Sequence, residues 1–455
     1  MDKYKDWSKE DLITYIQSLE ENKTTTKQSQ PSPSSNEKNL NNSKNNKKNK
    51  KKKQERPFDI TKYRQRRVAF KVAYLGWNYI GFAAQQDEIL LPTVEGQLFQ
   101  ALEHCKLISH RDACDYSRCG RTDRGVSGLG QVIILNVRSK QSAISNDNEN
   151  EPYLSPDEEL PYVDNLNRAL PDDIRILAWS PVPSRLNARF DCQSRTYRYL
   201  FRQEQLNIAL MQQAASYFIG EHDFRNFCKL DPSKNITNYH RRMLSCTITP
   251  FYDNTPSSPQ RMMKMELKGT AFLWHQVRCM MSVLFLVGQQ LEPPTIIQDL
   301  LNTELYSARP DYPMASDLPL ILYDCEFDPN AVQWVTSSTI AIDRVVAHWD
   351  QFSYAQDIRA STCHYFYQAA TAIQQQQIEN NSNNKMNIDT KENEKEVNGG
   401  NKRKKIILGG GVTSLLNQYK PLAERPRCDT DEMKKDKYNA KKRKREQLEN
   451  EPEIK

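Results

Sequence analysis

Residues 117–127 read Ser-Arg-Cys-Gly-Arg-Thr-Asp-Arg-Gly-Val-Ser, and this stretch decides how the rest of the chain is interpreted. Gly120 and Gly125 bracket the run around Asp123 and permit a tight loop that brings the backbone close to a ligand. Loops at strand ends are where catalytic groups concentrate. Because neighbouring arginines stabilise a carboxylate, Asp123 is expected to be an ionised nucleophile or base. On residue types alone, an Asp–Arg ion pair that merely holds a turn remains the stronger interpretation.

Upstream and downstream of this stretch, the hydrophobic pattern predicts a strand, a helix and a second strand. Val68, Phe70, Val72 and Tyr74 alternate with the period of a half-buried strand. Thr93 is a suitable N-cap for a helix, and a strongly apolar strand follows the Asp123 segment at 131–137. Residues 139–160 are acidic and rich in Ser, Asn and Pro, which predicts a mobile loop.

A second, similar series of elements begins near Asn165. The predicted strands cover 174–179, 196–201, 243–249 and 263–267, and the predicted helices cover 207–218 and the apolar stripe 277–287. Strands mixed with helices in two comparable runs predict an α+β fold with two related halves. Two halves usually enclose a cleft, and clefts are where ligands bind.

The ends of the 455-residue chain differ from its middle in composition. Residues 1–56 carry 14 Lys and Arg against 8 Asp and Glu, and residues 378–455 carry 19 against 14. Because the whole chain is +7, residues 57–377 carry a net −4, so an RNA-binding surface there requires local clusters of basic side chains. The predicted organisation is a disordered Lys/Asn-rich tail with a short N-terminal helix (1–56), an N-terminal catalytic half (57–164), a C-terminal catalytic half (165–325), a helical extension (326–377) and a disordered basic tail (378–455), within which 419–427 is a less polar island.

The cysteines and the hydropathy pattern argue against a metal centre and a membrane span. The ten cysteines include no Cys-x-x-Cys pair, and no His pair near Cys114 and Cys119 completes a zinc site, so reduced thiols are expected. A phosphate-cradling glycine loop and a metal-ligand spacing are also missing from the pattern, which agrees with the cofactor-free and metal-free chemistry that the resemblance given below implies. With no apolar run long enough for a signal core or a membrane span, a soluble, non-secreted protein without membrane contact is expected.

The run Gly120–Ser127 closely resembles the signature of TruA-type tRNA pseudouridine synthases, in which the aspartate is the essential residue. Other stretches agree in the same order: 166–174 (Leu-Asn-Arg-Ala-Leu-Pro-Asp-Asp-Ile), 187–191 (Asn-Ala-Arg-Phe-Asp), 195–199 (Arg-Thr-Tyr-Arg-Tyr), 220–224 (Gly-Glu-His-Asp-Phe) and 272–278 (Phe-Leu-Trp-His-Gln-Val-Arg). The resemblance implies the pseudouridine synthase fold: two ferredoxin-like halves forming a mostly antiparallel central sheet, with helices and a central RNA-binding cleft.

Within the family, the run 73–79 and the Cys-Gly pair at 119–120 resemble the eukaryotic branch that modifies uridines 38 and 39 of the tRNA anticodon arm. The implied activity is isomerisation of uridine to pseudouridine, which requires no cofactor. Two alternatives stay open: a multisite synthase acting at other tRNA or RNA positions, and a non-catalytic RNA-binding protein of the same fold.

The resemblance also assigns roles to individual residues. Asp123 is the catalytic carboxylate, acting as nucleophile or as base, Arg278 is the arginine that pairs with it, and Tyr197 stacks on the target base. Arg121 is implied to fill the space that a flipped base vacates, with a phosphate contact as its other interpretation. The remaining candidates for RNA contacts are Arg118, Arg124, Arg189, Arg195 and His222; for His222, core packing is an equally good interpretation.

The expectations about assembly and location are coarser. Bacterial members of the family are homodimers, so a homodimer is the expected assembly, although the sequence itself leaves the oligomeric state open. Basic runs at Lys44–Lys53, Lys402–Lys405 and Lys441–Arg445 resemble nuclear-import signals or RNA-binding arms, which predicts a nuclear and cytoplasmic protein. A merely solvated tail explains the same runs equally well.

Overall fold

A computed structural model describes residues 58–84, 92–143, 152–232, 236–252, 261–336, 339–386 and 404–449, with side chains of 381–386 and 445–449 left aside. The predicted N-terminal tail, 1–56, lies outside the described residues. The basic run Lys44–Lys53 therefore lies outside them as well, and so does the first half of the run Lys402–Lys405.

The first half of the fold is a sheet built around β1 (Tyr63–Tyr74). β1 pairs antiparallel with β3 (Ser127–Ser142) on one side and with β4 (Ile174–Pro181) on the other, and β2 (Ser117–Arg118) pairs with β3. The helices α1 (Val94–His104) and α2 (Tyr162–Ala169) complete this half. The spatial order β4-β1-β3-β2 is that of a ferredoxin-like unit, as the resemblance implies.

The second half repeats this topology with one additional strand at its outer edge and one additional helix. Its strands are β5 (Ser194–Arg202), β6 (Gly220–Asp223), β7 (His240–Pro250), β8 (Met262–Gly269) and β9 (Leu320–Glu326), in the order β9-β5-β8-β7-β6. Its helices are α3 (Ile208–Ser216), α4 (Gln276–Gly288) and α5 (Ile296–Leu301). Helix α4 is apolar on nearly every face and is almost wholly buried, as expected for a helix that crosses a hydrophobic core.

The two halves join into one mostly antiparallel sheet through a parallel pairing of β3 with β9. In that pairing Ser127 lies opposite Ile321, and Gly128 lies opposite Leu322. Because Ser127 is the first residue of β3, the segment that contains Asp123 enters the sheet at the junction of the halves. The predicted α+β fold with a mostly antiparallel sheet is thus confirmed, and it places the key segment centrally.

The predicted boundary between the halves at 164/165 lies too early in the chain. Tyr162 packs edge-on against Trp179 at 4.9 Å between ring centroids, and also against Phe70 of β1 at 6.0 Å. Strand β4 pairs with β1, so α2 and β4 both belong to the first half. The sequence pattern of β4 shows that it is a strand, but its partner depends on the tertiary fold.

The predicted helical extension contains α6 (Thr339–Met386), one long helix. Its first turns dock on the first half through the buried side chains of Ala341 and Val345, and His348 Nε2 lies 2.7 Å from the carbonyl oxygen of Asp172. Beyond Phe352 the side chains are mostly exposed. Among the described residues, α6 included, no helix combines the length and apolar character needed to cross a bilayer.

Residues 404–449 differ from the predicted disordered tail. They form a hairpin of β10 (Lys404–Ile407) and β11 (Thr413–Leu416), followed by α7 (Asp431–Glu449). Ile406, Leu408 and Leu422 are buried against the second half. The short apolar runs within this basic segment outweigh its average composition, because each buried aliphatic side chain contributes about 1.5–3 kcal/mol. Residues 387–403 and 450–455 lie outside the described residues.

Candidate active site

Asp123 begins a tight turn that leads into β3. The backbone N–H of Val126 donates to the carbonyl of Asp123 at 3.2 Å, and Gly125 has φ +78°. A positive φ at the third position of a four-residue turn is the mark of a type II turn, which glycine adopts at least cost. The turn leaves the Asp123 side chain 23% exposed, so its carboxylate is partly desolvated and still accessible.

The loop that follows β1 forms backbone hydrogen bonds with this turn. The N–H of Phe82 donates to the carbonyl of Thr122 at 3.1 Å, and the N–H of Gly125 donates to the carbonyl of Tyr79 at 3.2 Å. Gly76 approaches so closely that a Cβ there would meet the carbonyl oxygen of Val126 at 2.0 Å. These contacts fix the backbone on both sides of Asp123, and a rigid backbone orients the carboxylate.

His275 is the basic side chain beside Asp123, and sequence reasoning assigned it no role. Its Nε2 lies 3.4 Å from Asp123 Oδ2, and its ring stacks on Trp274 at 4.2 Å between centroids. His275 has φ +61°, a left-handed conformation that costs a non-glycine residue about 1–2 kcal/mol. Such strain is often found at functional sites. The signal available in the sequence was its position in the 272–278 run, three residues before Arg278.

Arg278 contacts Asp317, which lies against the turn formed by residues 123–126, called the catalytic turn below. Its Nη2 lies 3.6 Å from Asp317 Oδ1, and its Nε donates to the carbonyl of Ala315 at 2.8 Å. Asp317 in turn lies against Gly125, where a Cβ would meet its Oδ2 at 2.1 Å. The structure therefore brings His275 to Asp123 and pairs Arg278 with Asp317, and the predicted pairing of Arg278 with Asp123 stays a prediction.

Tyr197 lies on β5, half-buried, with its ring packed edge-on against Phe272 at 4.9 Å between centroids. Burial raises the pKa of Tyr197 far above its usual value, and the Asp123 carboxylate is among the negative groups that raise it further. The phenol therefore stays neutral at physiological pH. In the sheet, Leu322 of β9 lies opposite Tyr197 on one side and opposite Gly128, near the start of β3, on the other. The strand register therefore places Tyr197, from the second half, two strands away from the chain that leads out of the Asp123 turn.

Three of the predicted RNA-contacting arginines are exposed near the turn: Arg121, Arg124 and Arg189. Desolvation, followed by the positive charges of Arg118 and Arg189, lowers the pKa of Arg121. The guanidinium of Arg189 lies 5.5 Å from the ring centroid of Phe190, which is 78% exposed. A cluster of cations beside an exposed aromatic ring suits the phosphates and bases of RNA.

Two other predicted phosphate ligands are used inside the protein. Arg118 forms an ion pair with Glu95, whose side chain is fully buried. Arg195 donates to four main-chain carbonyls, those of Thr270 (2.7 Å), Arg189 (2.8 Å), Cys119 (3.1 Å) and Cys192 (3.3 Å). Both guanidinium groups are therefore committed to internal partners, and their predicted phosphate contacts do not fit this arrangement.

His222 lies on β6, the strand at the far edge of the second half. Its ring packs edge-on against Phe224 at 6.1 Å, and its Nε2 lies 3.0 Å from the carbonyl oxygen of Ile219. Five strand steps of about 4.8 Å separate β3 from β6 in the sheet. The structure thus does not bring His222 to Asp123.

Two cavities, of about 180 and 400 Å³, lie beside Arg168 and away from the catalytic turn. Neither is lined by a predicted site residue. The predicted RNA-binding cleft between the halves therefore stays a prediction, supported by the convergence of Asp123, His275 and Tyr197 at the centre of the sheet.

In this α+β fold, a carboxylate, a neutral tyrosine and exposed arginines lie near the junction of the two halves of the sheet. This combination of side chains is the one expected of an enzyme that modifies RNA. Residues 214–328 match a family model described as tRNA pseudouridine synthase. The chain is 42% identical over 367 residues to the tRNA pseudouridine(38/39) synthase of Saccharomyces cerevisiae, covering 80% of each chain. It is 38% identical over 382 residues to the human protein of the same name, covering 82% of this chain and 77% of the human one. The chain belongs to the TruA-type tRNA pseudouridine synthase family.

Family membership extends to more distant proteins. The tRNA pseudouridine synthase A of Methanothermobacter thermautotrophicus is 33% identical over 240 residues, which cover 52% of this chain and 74% of that protein. The chain is accordingly a pseudouridine synthase, an isomerase that acts on tRNA, as the signature at 120–127 predicts.

Proposed function

We propose that this enzyme converts uridine to pseudouridine at positions 38 and 39 of the tRNA anticodon stem-loop. The relatives from yeast and human that are similar over most of the chain carry this activity in their names. The observation that carries the proposal is that His275 contacts Asp123 and that the strand register brings Tyr197 within two strands of the same turn, beside exposed arginines.

The reaction breaks the bond between uracil N1 and ribose C1′, turns the base, and forms a bond between C5 and C1′. The hydrogen at C5 leaves as a proton and N1 gains one, so the product is an isomer of the substrate. Asp123 acts either by covalent attack or by removing a sugar proton. The contact with His275 and the fixed backbone of the turn hold the Asp123 carboxylate in one orientation. Holding a catalytic group in the reactive orientation accounts for much of the rate enhancement of enzymes.

Tyr197 offers an aromatic face to the flipped base, and stacking of this kind contributes about 1–3 kcal/mol per base. Turning a base out of a structured arm costs a few kcal/mol, and the stacking offsets part of that cost. Arg121, Arg124 and Arg189 contact the backbone phosphates on either side of the target. Such contacts position the RNA without reading its sequence.

The test is to map pseudouridines in tRNA from cells that lack this protein and are complemented with wild-type enzyme or with Asp123→Ala. Loss confined to positions 38 and 39, restored only by the wild type, supports the proposal. Loss at further positions favours a multisite synthase. No loss favours an RNA-binding protein. Purified Asp123→Ala is expected to keep its affinity for tRNA while product falls below detection, and residual turnover would contradict the catalytic assignment.

We also propose that the enzyme is a homodimer, as bacterial members of the family are. We further propose that it is located in the nucleus and the cytoplasm. The support for the location is the basic runs, of which Lys441–Arg445 lies on α7, where residues 441–444 are exposed. Sedimentation equilibrium tests the assembly, with a monomeric mass as the contrary result. Imaging of a tagged chain with and without 441–445 tests the location.

A further inference from the structure

Three cysteines from distant parts of the chain meet behind the catalytic turn. The sulfurs of Cys119, Cys192 and Cys325 all lie within 4.8 Å of one another. Their residues are 2%, 7% and 4% exposed, respectively. No spacing in the sequence indicates this cluster, because only the fold brings the three segments together.

Each cysteine belongs to a segment that supports the active site. Cys119 directly follows β2 and precedes Asp123 by four residues. Cys192 precedes β5, the strand that carries Tyr197, and Cys325 lies on β9, which pairs with both β5 and β3. A bond among the three sulfurs would therefore fasten both halves of the fold to each other at the site.

We propose that Cys119, Cys192 and Cys325 bind one Zn²⁺ ion as three thiolates, and that this ion cross-links the segments that carry Asp123 and Tyr197. The fourth position is filled by a solvent molecule or by a main-chain carbonyl. The predicted absence of a metal site followed from sequence spacing alone, and the tertiary arrangement changes that conclusion.

The geometry suits zinc. Zn–S bonds of about 2.3 Å in a tetrahedral site place sulfurs about 3.8 Å apart, so the cluster has to contract by no more than about 1 Å. Thiolates are the ligands that select soft cations such as zinc over magnesium or calcium. Buried cysteines often act simply as small apolar side chains, but three that converge from separate segments form a ligand set.

The charge balance also favours the ion. Binding releases three thiol protons to solvent, which leaves a zinc–trithiolate centre with a net charge of −1. The guanidinium of Arg195 donates to the carbonyls of Cys119 and Cys192 at 3.1 and 3.3 Å, so a positive charge lies next to that centre. Arg195 thus compensates the charge that an otherwise apolar surrounding would not tolerate.

The experiment measures metal binding by the full chain directly, with no dependence on catalysis. Metal-depleted protein is titrated with Zn²⁺ and, separately, with Co²⁺, whose thiolate charge-transfer absorption reports sulfur ligation. We expect one ion per chain and loss of the absorption in Cys119→Ser, Cys192→Ser and Cys325→Ser. The matched control is Cys246→Ser, a cysteine that is 1% exposed on β7 and outside the cluster. Substoichiometric binding by the wild type, or a cobalt spectrum unchanged in the three variants, overturns the proposal.

A second measurement needs no variant, so misfolding of a substituted chain does not weaken the test. X-ray absorption by the wild-type zinc protein is expected to show three sulfur neighbours at about 2.3 Å. A shell that contains only nitrogen and oxygen overturns the proposal. Because both readouts concern the metal, either result leaves the proposed tRNA activity to be tested by its own experiment.

Discussion

Replacing Gly125 with alanine tests whether the catalytic turn and the Arg278–Asp317 pair act together. Gly125 has φ +78°, so alanine there adopts a left-handed conformation at a cost of about 1–2 kcal/mol. Its Cβ would meet Asp317 Oδ2 at 2.1 Å, whereas ordinary van der Waals contact begins at 3.4 Å, so the carboxylate has to move by more than 1 Å. Breaking a half-exposed ion pair adds up to about 1 kcal/mol.

We therefore expect Gly125→Ala to lower the free energy of unfolding by about 1–3 kcal/mol, measured by urea denaturation. Asp123 begins the turn that contains Gly125, so the strain of the alanine is expected to displace the Asp123 carboxylate as well. A displacement of about 1 Å is expected to lower kcat/KM about 100-fold. Release of tritium from C5 of uridine in labelled tRNA measures turnover, since that hydrogen leaves when the C5–C1′ bond forms.

A matched control separates backbone strain from the steric contact. Gly411 also has φ +78°, but a Cβ there meets nothing within 4 Å, so Gly411→Ala carries the strain alone and is expected to retain full activity. Asp317→Ala combined with Gly125→Ala relieves the clash and is expected to recover part of the lost stability. A Gly125→Ala enzyme with wild-type stability and turnover would refute the coupling between the turn and Asp317.

Two further predictions concern ion pairs and hydrogen bonds in the interior. Burial acts to raise the pKa of Glu159, but hydrogen bonds from Lys140, Leu160, Ser139 and Arg66 together lower it below 4.5. The stability that this carboxylate contributes is therefore present above about pH 4.5 and is lost as pH falls through the lowered pKa. Glu159→Gln removes the carboxylate that pairs with the buried Arg66, which among the described residues keeps only its hydrogen bond to the Leu154 carbonyl. The variant is expected to lose about 3 kcal/mol of stability at pH 7 and to differ less from the wild type near pH 3. Glu158→Gln, at an exposed position, is the control, and a difference that does not change with pH would contradict the assignment. Arg195→Lys replaces a guanidinium that donates to four carbonyls, so we expect the free energy of unfolding to fall by about 2–3 kcal/mol. The tRNA affinity of the folded variant is expected to be unchanged. Weaker tRNA binding at unchanged stability would instead support the predicted phosphate contact of Arg195.

Much of the secondary structure could be predicted because local pattern and burial agree. The alternation from Val68 to Tyr74 predicts the strand β1 correctly, but the strand is buried on both faces and not half-buried as expected. The Thr93 side chain caps α1 by accepting from the N–H of Gly96 at 3.1 Å. Periodicity does not specify pairing partners, however. The assignment of β4 to the first half depends on Tyr162 and Trp179 packing together, which is a contact between separate elements.

Average composition gave wrong predictions of disorder for segments in which a few buried side chains contact the core. The acidic insertion 139–160 was expected to be a mobile loop, yet the fully buried Glu159 ties its end to Arg66 at 3.2 Å. The basic tail from 378 was expected to be disordered, yet Ile406 and Leu422 dock it on the core. In both cases one or two buried side chains stabilise the described part of the segment, residues 152–160 and 404–449 respectively, although the mean hydropathy of these stretches suggests otherwise.

The site could be found from the sequence only as far as its motif reached. The joint role of Asp123 and Tyr197 stays a prediction from the resemblance. The contact of Arg278 with Asp317 depends on the position of a residue that no motif contains. His275 and the three clustered cysteines became visible only when separate segments were brought together.

The same limit explains the division among the arginines. Arginine type and proximity to Asp123 suit either an RNA phosphate or an internal carbonyl, and only the surroundings separate the two roles. Arg118 and Arg195 have internal partners that satisfy their charge or their donors, whereas Arg121, Arg124 and Arg189 are exposed. Since residues 57–377 carry a net −4, bulk attraction cannot hold RNA on this part of the chain. We therefore propose that the exposed arginines beside the turn draw the phosphate backbone towards Asp123, because a local concentration of positive charge attracts RNA where the bulk charge does not.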